Sequence, residues 1–143
     1  MKQSLALVLA VGLQASPAFA TDERIAVELP GMMREHMLAN MRDHLLALAE
    51  IQQHLSAGEN DAAAEVAETR IGMSSLATHG AAHMAPHMPA AMRDIGTRMH
   101  RAASRFALVA QESAVDDDTR RALAALADVT RQCVACHAAY RVR

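Results

Sequence analysis

Apolar residues in the second half of the chain recur at alternating steps of three and four, and this spacing limits what the chain can fold into. The clearest series runs through Met92, Ile95, Met99, Ala102, Phe106 and Val109. A heptad-like seam of this kind is typical of a helix that buries one face. No segment shows the strict apolar–polar alternation that predicts a strand. The sequence therefore predicts an all-α fold.

Four helices are predicted, over residues 32–55, 62–78, 90–112 and 119–140. The apolar seam of the first is assigned to Leu38, Met41, Leu45, Leu48 and Leu55, and that of the last to Leu123, Leu126, Thr130, Cys133 and His137. Gly58 is a helix stop, and Pro86 and Pro89 interrupt a loop over 79–89. Helices with short loops between them predict an antiparallel four-helix bundle.

The first 20 residues do not belong to that domain. Lys2 is followed by an apolar run over 5–13 and by small residues up to Ala20. This order predicts a secretory signal peptide over 1–20, which is cleaved to leave a mature chain 21–143 in the periplasm. The run is shorter than the roughly 20 apolar residues that span a bilayer, and we expect no membrane span in the mature chain.

The overall charge argues against one class of partner. The chain has 14 Lys and Arg against 16 Asp and Glu, a net charge of −2. A nucleic-acid-binding protein of this size would carry a clear basic excess. We therefore expect no nucleic-acid partner.

The two cysteines of the chain lie in one short motif, Cys133-Val134-Ala135-Cys136-His137. This spacing predicts covalent attachment of haem c, because two thiols on one helical turn reach the two vinyl groups of a porphyrin. The adjacent histidine then ligates the iron. The alternatives are a thioredoxin-like redox pair, which prefers a helix N-terminus, a zinc site, which needs more ligands at suitable spacing, and a disulfide.

The position of the motif at the end of the last helix, followed by Tyr140-Arg141, resembles the class II c-type cytochromes, the cytochrome c′ family. The resemblance implies one haem c in a four-helix bundle, and in many members a homodimer formed through the first two helices. It implies that Arg34 and Arg141 lie near the haem propionates, as charge-assisted hydrogen bonds would favour. The offsets between Arg34, Leu38 and His44 imply that Leu38 faces the haem.

The residue opposite His137 would decide the function. By the same resemblance, an apolar Leu38 implies an open iron that binds small gases such as nitric oxide or carbon monoxide. Met41, one turn further on, or Met37 would instead give a six-coordinate iron with a raised reduction potential. We expect a periplasmic electron-transfer protein that meets redox partner proteins, with gas binding as the alternative. No set of nucleophile, base and oxyanion donors predicts an enzyme.

Histidines and methionines form a second candidate cluster around the predicted loop. Its members are His79, His83, His87, Met84, Met88 and Met92. These residue types suit copper or another soft metal, or an alternative haem ligand. The other interpretation is a polar loop with methionines packed beneath it, and the sequence favours this one because no ligand set is complete by spacing. Copper handling is therefore a distant third function.

Overall fold

The computed structural model describes residues 22–116 and 118–143, so the predicted signal peptide lies outside the described residues. The described chain is mostly helical, which confirms the coarse prediction. Its elements are β1 (Ile25–Val27), α1 (Gly31–Ser56), α2 (Asn60–Arg70), a 3-10 turn (Met73–Ser75), α3 (Ala81–Met84), a 3-10 turn (Ala85–His87), α4 (Ala90–Asp116), α5 (Thr119–Ala139) and β2 (Tyr140–Val142). Within these residues no helix has the length and hydropathy needed to cross a bilayer.

The second helix is shorter than predicted. It ends at Arg70, after which the Gly72 amide donates a hydrogen bond to the Ala67 carbonyl (2.8 Å). A Cβ at position 72 would lie 2.8 Å from the Glu68 carbonyl oxygen, so the chain turns here on a residue without a side chain. The following 3-10 turns and α3 occupy the segment that the sequence assigned partly to a helix and partly to a loop.

The two short strands were not predicted. Strand β1 pairs in parallel with β2, in a register that sets Ile25 opposite Tyr140 and Val27 opposite Val142. The Arg143 amide extends the pairing by donating to the Val27 carbonyl (3.1 Å). Each strand has only three residues, too few to show an alternating pattern. The pairing joins the end of α5 to the segment that precedes α1.

Two of the three predicted seams are wrong in part. The α4 seam is confirmed at Met92, Met99, Ala102 and Phe106, all of which are buried. On α1 Leu45 is 68 % exposed, and the buried residues are Met37, His44, Ala47, Ile51 and Leu55. On α5 Leu123 is 48 % exposed, Thr130 and His137 are exposed, and the buried residues are Ala122, Leu126 and Val129. The leucine-weighted pattern missed these faces because alanines fill the closest helix contacts.

The buried residues form two clusters. The first, which we call the Ala-rich core, contains Ala47, Ile51, Leu55, Ala63, Ala64, Ala67, Ile71, Met99, Ala102, Ala103, Phe106, Ala107, Ala110, Ala122, Leu126 and Val129. The second, the Met-rich cluster, contains Val27, Leu29, Met37, Met84, Met92 and Tyr140, with Met33, Met41, Met88, Ile95, Cys136, Ala139 and Val142 packed against them. Helix α4 packs closely on α2 and α5, and α1 packs on α2. Among the described residues, α1 has no comparable backbone packing against α5.

Candidate functional site

The two cysteines lie on the last two turns of α5. Both are free thiols and both are half-buried. They stand three residues apart, so their side chains leave neighbouring positions on one side of the helix. Cys133 packs against the Ala-rich core, whereas Cys136 packs against the Met-rich cluster. The motif therefore lies where the two clusters meet.

The surroundings of the thiols argue against a thioredoxin-like pair. Burial raises the pKa of the Cys133 thiol, and burial together with the neighbouring Cys133 raises the pKa of Cys136. A redox-active thiol pair needs the opposite shift, because the thiolate is the reactive form. Among the described residues, no group of three or more His, Cys, Asp or Glu is arranged to hold a metal ion, which leaves the zinc alternative without a ligand set.

The end of α5 is held by contacts to the N-terminal segment. The His137 carbonyl accepts a hydrogen bond from Arg24 Nη1 (3.4 Å), while the His137 imidazole side is exposed. Helix α5 ends two residues later, and Tyr140 turns into the Met-rich cluster as the first residue of β2. These contacts hold the backbone of the motif and leave the exposed imidazole available to act as a metal ligand.

The candidates for the opposite side of the site differ in where they pack. Met37 is buried in the Met-rich cluster and Met41 packs against it, in the same cluster as Cys136. Leu38 is half-buried and belongs to neither cluster in the described part of the chain. The structure therefore places the two methionines, rather than the leucine, in the same apolar cluster as Cys136.

The two candidate propionate ligands lie near the β1–β2 pair. Arg34, in the first turn of α1, forms an exposed ion pair with Glu35 (Nη1–Oε1 3.0 Å). Arg141, in β2, lies 3.2 Å from Asp22 (Nε–Oδ2), but its buried Nε has no partner of hydrogen-bond geometry within residues 22–116 and 118–143. An exposed ion pair of this kind contributes little, so Arg34 can exchange Glu35 for another anion at small cost.

The predicted histidine–methionine cluster is divided by the fold. Met84, Met88 and Met92 belong to the Met-rich cluster, whereas His83 and His87 are exposed. His79 lies elsewhere, in a buried group with histidines of two other elements. The set predicted from the sequence is thus not gathered at one place.

That buried group of three histidines was missed by sequence reasoning. His44 of α1, His79 of the segment before α3 and His100 of α4 have ring centroids 4.8, 5.5 and 6.1 Å apart. Their positions along the chain are too far apart for any spacing rule to connect them. None of the three belongs to an apolar seam that the sequence predicts, and this was the only sequence signal that set them apart.

The residues around the motif fit a haem on three counts. The two thiols are free on one helical turn, six methionines and Tyr140 form an apolar surface beside them, and Arg141 offers a buried unsatisfied donor. Helices α1 and α5, which carry the candidate ligands, are not packed tightly against each other. Comparisons with protein-family models, with curated proteins and with solved structures find no match to this chain, so the resemblance to class II c-type cytochromes depends on the residues named above.

Proposed function

We propose that this protein is an exported c-type cytochrome that carries one haem c and transfers electrons. Cys133 and Cys136 attach the group and His137 is the proximal iron ligand. The observation that carries the proposal is the motif itself in its setting: two free, half-buried thiols on one turn, at the junction of the Ala-rich core and the Met-rich cluster. A haem c, when bound, supplies one-electron chemistry at its iron.

An antiparallel four-helix bundle is part of the proposal. The connections between α1 and α2 and between α4 and α5 are only a few residues long. Short connections between packed helices favour antiparallel neighbours. In such an arrangement α1 and α5 would form the remaining side of the bundle, where their loose packing leaves the place for the group.

The chain's own residues have three tasks in this proposal. The Met-rich cluster excludes water from the edge of the group and adapts to its shape, since methionine is unbranched and polarisable. The β1–β2 pair holds the end of α5, and with it the backbone of His137. Arg141, and Arg34 after release of Glu35, supply positive charge for the propionates.

A methionine ligand on the distal side supports electron transfer over gas binding. Met37 and Met41 pack in the cluster that contains Cys136, whereas Leu38 does not. We infer that Met41 or Met37 would be the second protein ligand of the iron. A methionine ligand would raise the reduction potential, which suits exchange with redox partner proteins in the periplasm. A five-coordinate site under Leu38, open to nitric oxide or carbon monoxide, is the second candidate by the family resemblance.

Attachment is tested by extraction. The full chain is produced in a host that matures c-type cytochromes, and the product is extracted with acidified acetone. We expect the colour to stay with the protein, because thioether bonds are covalent, and Cys133→Ala/Cys136→Ala to lose it entirely. The matched control is Val134→Ala, which changes an exposed residue between the two thiols and leaves the attachment intact. Extraction of colour from the unmutated protein would refute the proposal.

The distal ligand is tested by spectroscopy of both oxidation states, with and without carbon monoxide. We expect a low-spin ferric spectrum, slow carbon monoxide binding, and conversion to a high-spin spectrum in Met41→Ala or Met37→Ala. Met32→Ala, at an exposed methionine of the same helix, is the control. A high-spin spectrum in the unmutated protein, with faster gas entry in Leu38→Ala, would establish the gas-binding alternative instead.

A further inference from the structure

The three buried histidines form a layer between elements that are distant along the chain. His44, His79 and His100 are 5, 7 and 9 % exposed, and they come from α1, the segment before α3, and α4. On α1, His44 lies between Met37 of the Met-rich cluster and Ala47 of the Ala-rich core. We call this group the histidine layer. In this layer α1, the 71–80 segment and α4 meet through polar rings.

The hydrogen bonds of the layer suit neutral rings. His100 Nδ1 donates to the Ile71 carbonyl, so a second proton on this ring would have to enter at Nε2. His79 Nδ1 pairs with the Ser75 hydroxyl (3.2 Å). His44 Nε2 is buried and has no hydrogen-bond partner among the described residues. Among the described residues, no acceptor is therefore in place for a proton added at this nitrogen.

The charged groups around the layer offset added protons only in part. The Asp43 carboxylate raises the pKa of His44 and of His79, whereas the Arg70 guanidinium lowers the pKa of His44. Asp43, the neighbour of His44, forms an ion pair with Arg70 at the end of α2. Arg70 also binds Glu50 of α1, so it is shared by both carboxylates. The His36 ring lies close to Gly80, on the His79 side, and adds a further titratable group of the same sign. Protonation would thus place like charges 4.8 to 6.1 Å apart, beside a carboxylate, Asp43, that is already paired with Arg70.

We propose that the histidine layer is an acid-sensitive lock that joins α1, the 71–80 segment and α4 while its rings are neutral and releases them when the rings take up protons. Ring-to-ring contact and burial hold the three elements together. Like-charge repulsion and the desolvation of imidazolium separate them. The lock depends only on these side chains, so it is independent of the proposed haem.

Stability should fall as the pH falls, because the pKa values of the three histidines are lower in the folded chain than in the unfolded chain. Burial, with the neighbouring His79 and His100, lowers the pKa of His44 to about 4. Burial lowers the pKa of His79 and of His100 as well. In the unfolded chain these rings titrate at about 6.5. The contribution of the layer to stability is therefore complete above that pH and is lost as the pH falls toward the pKa values of the folded state. From pH 7 to pH 5, His44 alone would raise the unfolding equilibrium constant about 20-fold.

The first test compares unfolding by urea across pH 7 to 5. We expect the full chain to lose at least about 20-fold in its folding equilibrium constant over this range. The variant His44→Gln/His79→Asn/His100→Asn keeps a polar amide at each position but removes the titration, and its loss should be several-fold smaller. His83→Gln/His87→Gln, at two exposed histidines, is the matched control and should behave like the unmutated chain. Equal pH dependence in the triple variant and the unmutated chain would overturn the proposal.

The second test needs no variant to fold. Proton NMR of the histidine rings in the unmutated chain should show three of the eight histidines titrating clearly below the others. Amide exchange at pH 5 should speed up first in residues 71–80 and in the part of α1 around His44. Titration of all the rings near their ordinary value, or unchanged exchange, would overturn the lock. A rise in stability on adding Zn²⁺ at pH 7 would overturn it too, since the layer would then be a metal site.

Discussion

The Ala-rich core and the Met-rich cluster both bury apolar side chains, but they do so with residues of opposite kinds. In the Ala-rich core, alanines on α2, α4 and α5 let the helix backbones approach closely around larger side chains, of which Phe106 is the largest that is fully buried. In the Met-rich cluster, six methionines from α1, α3, α4 and the turn between them surround Tyr140. Small rigid side chains specify one arrangement of helices. Long flexible ones fill a space whose shape is less fixed.

This difference in packing indicates where the chain can accommodate a bound group. A close alanine contact has no room for an inserted group, whereas a methionine surface can repack around one at little cost. Cys133 touches the first region and Cys136 the second, so the motif follows the boundary between them. We therefore expect the Ala-rich core to be complete on its own and the Met-rich cluster to become ordered by the bound group.

The largest expected effect is that of the haem, and it should be confined to one region. An attached group acts as a ligand at high effective concentration, and we expect the haem-carrying protein to be more stable than the Cys133→Ala/Cys136→Ala chain by more than about 4 kcal/mol. Amide exchange should show the added protection around the Met-rich cluster, with little change in α2. Equal thermal stability of the two forms, or protection spread evenly over both regions, would contradict the comparison.

A cavity in the Ala-rich core should cost nearly as much. Phe106 is fully buried, and Phe106→Ala is expected to lower the free energy of unfolding by about 3–5 kcal/mol, because the alanines around it cannot move in to fill the space. Urea unfolding measures the change. Leu108→Ala, two residues away on the exposed face of α4, is the control and should stay within about 0.5 kcal/mol. A loss below about 1 kcal/mol at Phe106 would mean that the core is loosely packed.

The same contrast explains what the sequence could predict about the fold. The α4 pattern was predicted correctly because its seam contains Met92, Met99 and Phe106, large residues that a hydropathy pattern recognises. The α1 and α5 faces were misplaced because Ala47 and Ala122 are buried while Leu45 and Leu123 are exposed. An alanine contact depends on how close the partner helix comes, and the local hydropathy pattern does not predict the position of that helix.

The candidate site divides in the same way. The motif at Cys133, Cys136 and His137 is local, so its spacing alone is enough to predict haem attachment, and that prediction is carried into the proposed function. The β1–β2 pair and the histidine layer are built from residues that only the tertiary fold brings together, and each partner is unremarkable in its own segment. For the proposed haem site, the sequence therefore names one proximal ligand, His137. On the other side the offsets to Arg34 and His44 favour Leu38 and leave Met41 and Met37 as alternatives.

Overpacking should distinguish the rigid Ala-rich core from the adaptable Met-rich cluster, with a smaller loss of stability than a cavity causes. Ala67 of α2 is buried in the Ala-rich core, and Ala67→Leu is expected to cost about 1–3 kcal/mol because the neighbouring helices must move apart. Met92→Leu, a volume-conserving change in the Met-rich cluster, should cost less than about 1.5 kcal/mol. Urea midpoints at constant slope compare them. If Met92→Leu cost more than Ala67→Leu, the assignment of the rigid and the adaptable region would be reversed.

The smallest effect is expected at the ion pairs that tie α2 to α1 beside both regions. Arg70 binds Asp43 and Glu50, and all three side chains remain partly exposed. Solvent therefore screens them, and Arg70→Gln should cost no more than about 1 kcal/mol. Arg131→Gln, on the outer face of α5, is the control and should cost almost nothing.

The contribution of this ion pair should depend on pH. The Arg70 guanidinium lowers the pKa of Asp43, so the contribution is present above the ordinary carboxyl pKa of 3.8 and is lost as the pH falls below it. In urea unfolding, the Arg70→Gln variant and the unmutated chain should therefore converge as the pH falls below 3.8. A cost above about 2 kcal/mol at pH 7 would show that the exposed ion pairs, rather than the alanine contacts, hold α1 on α2.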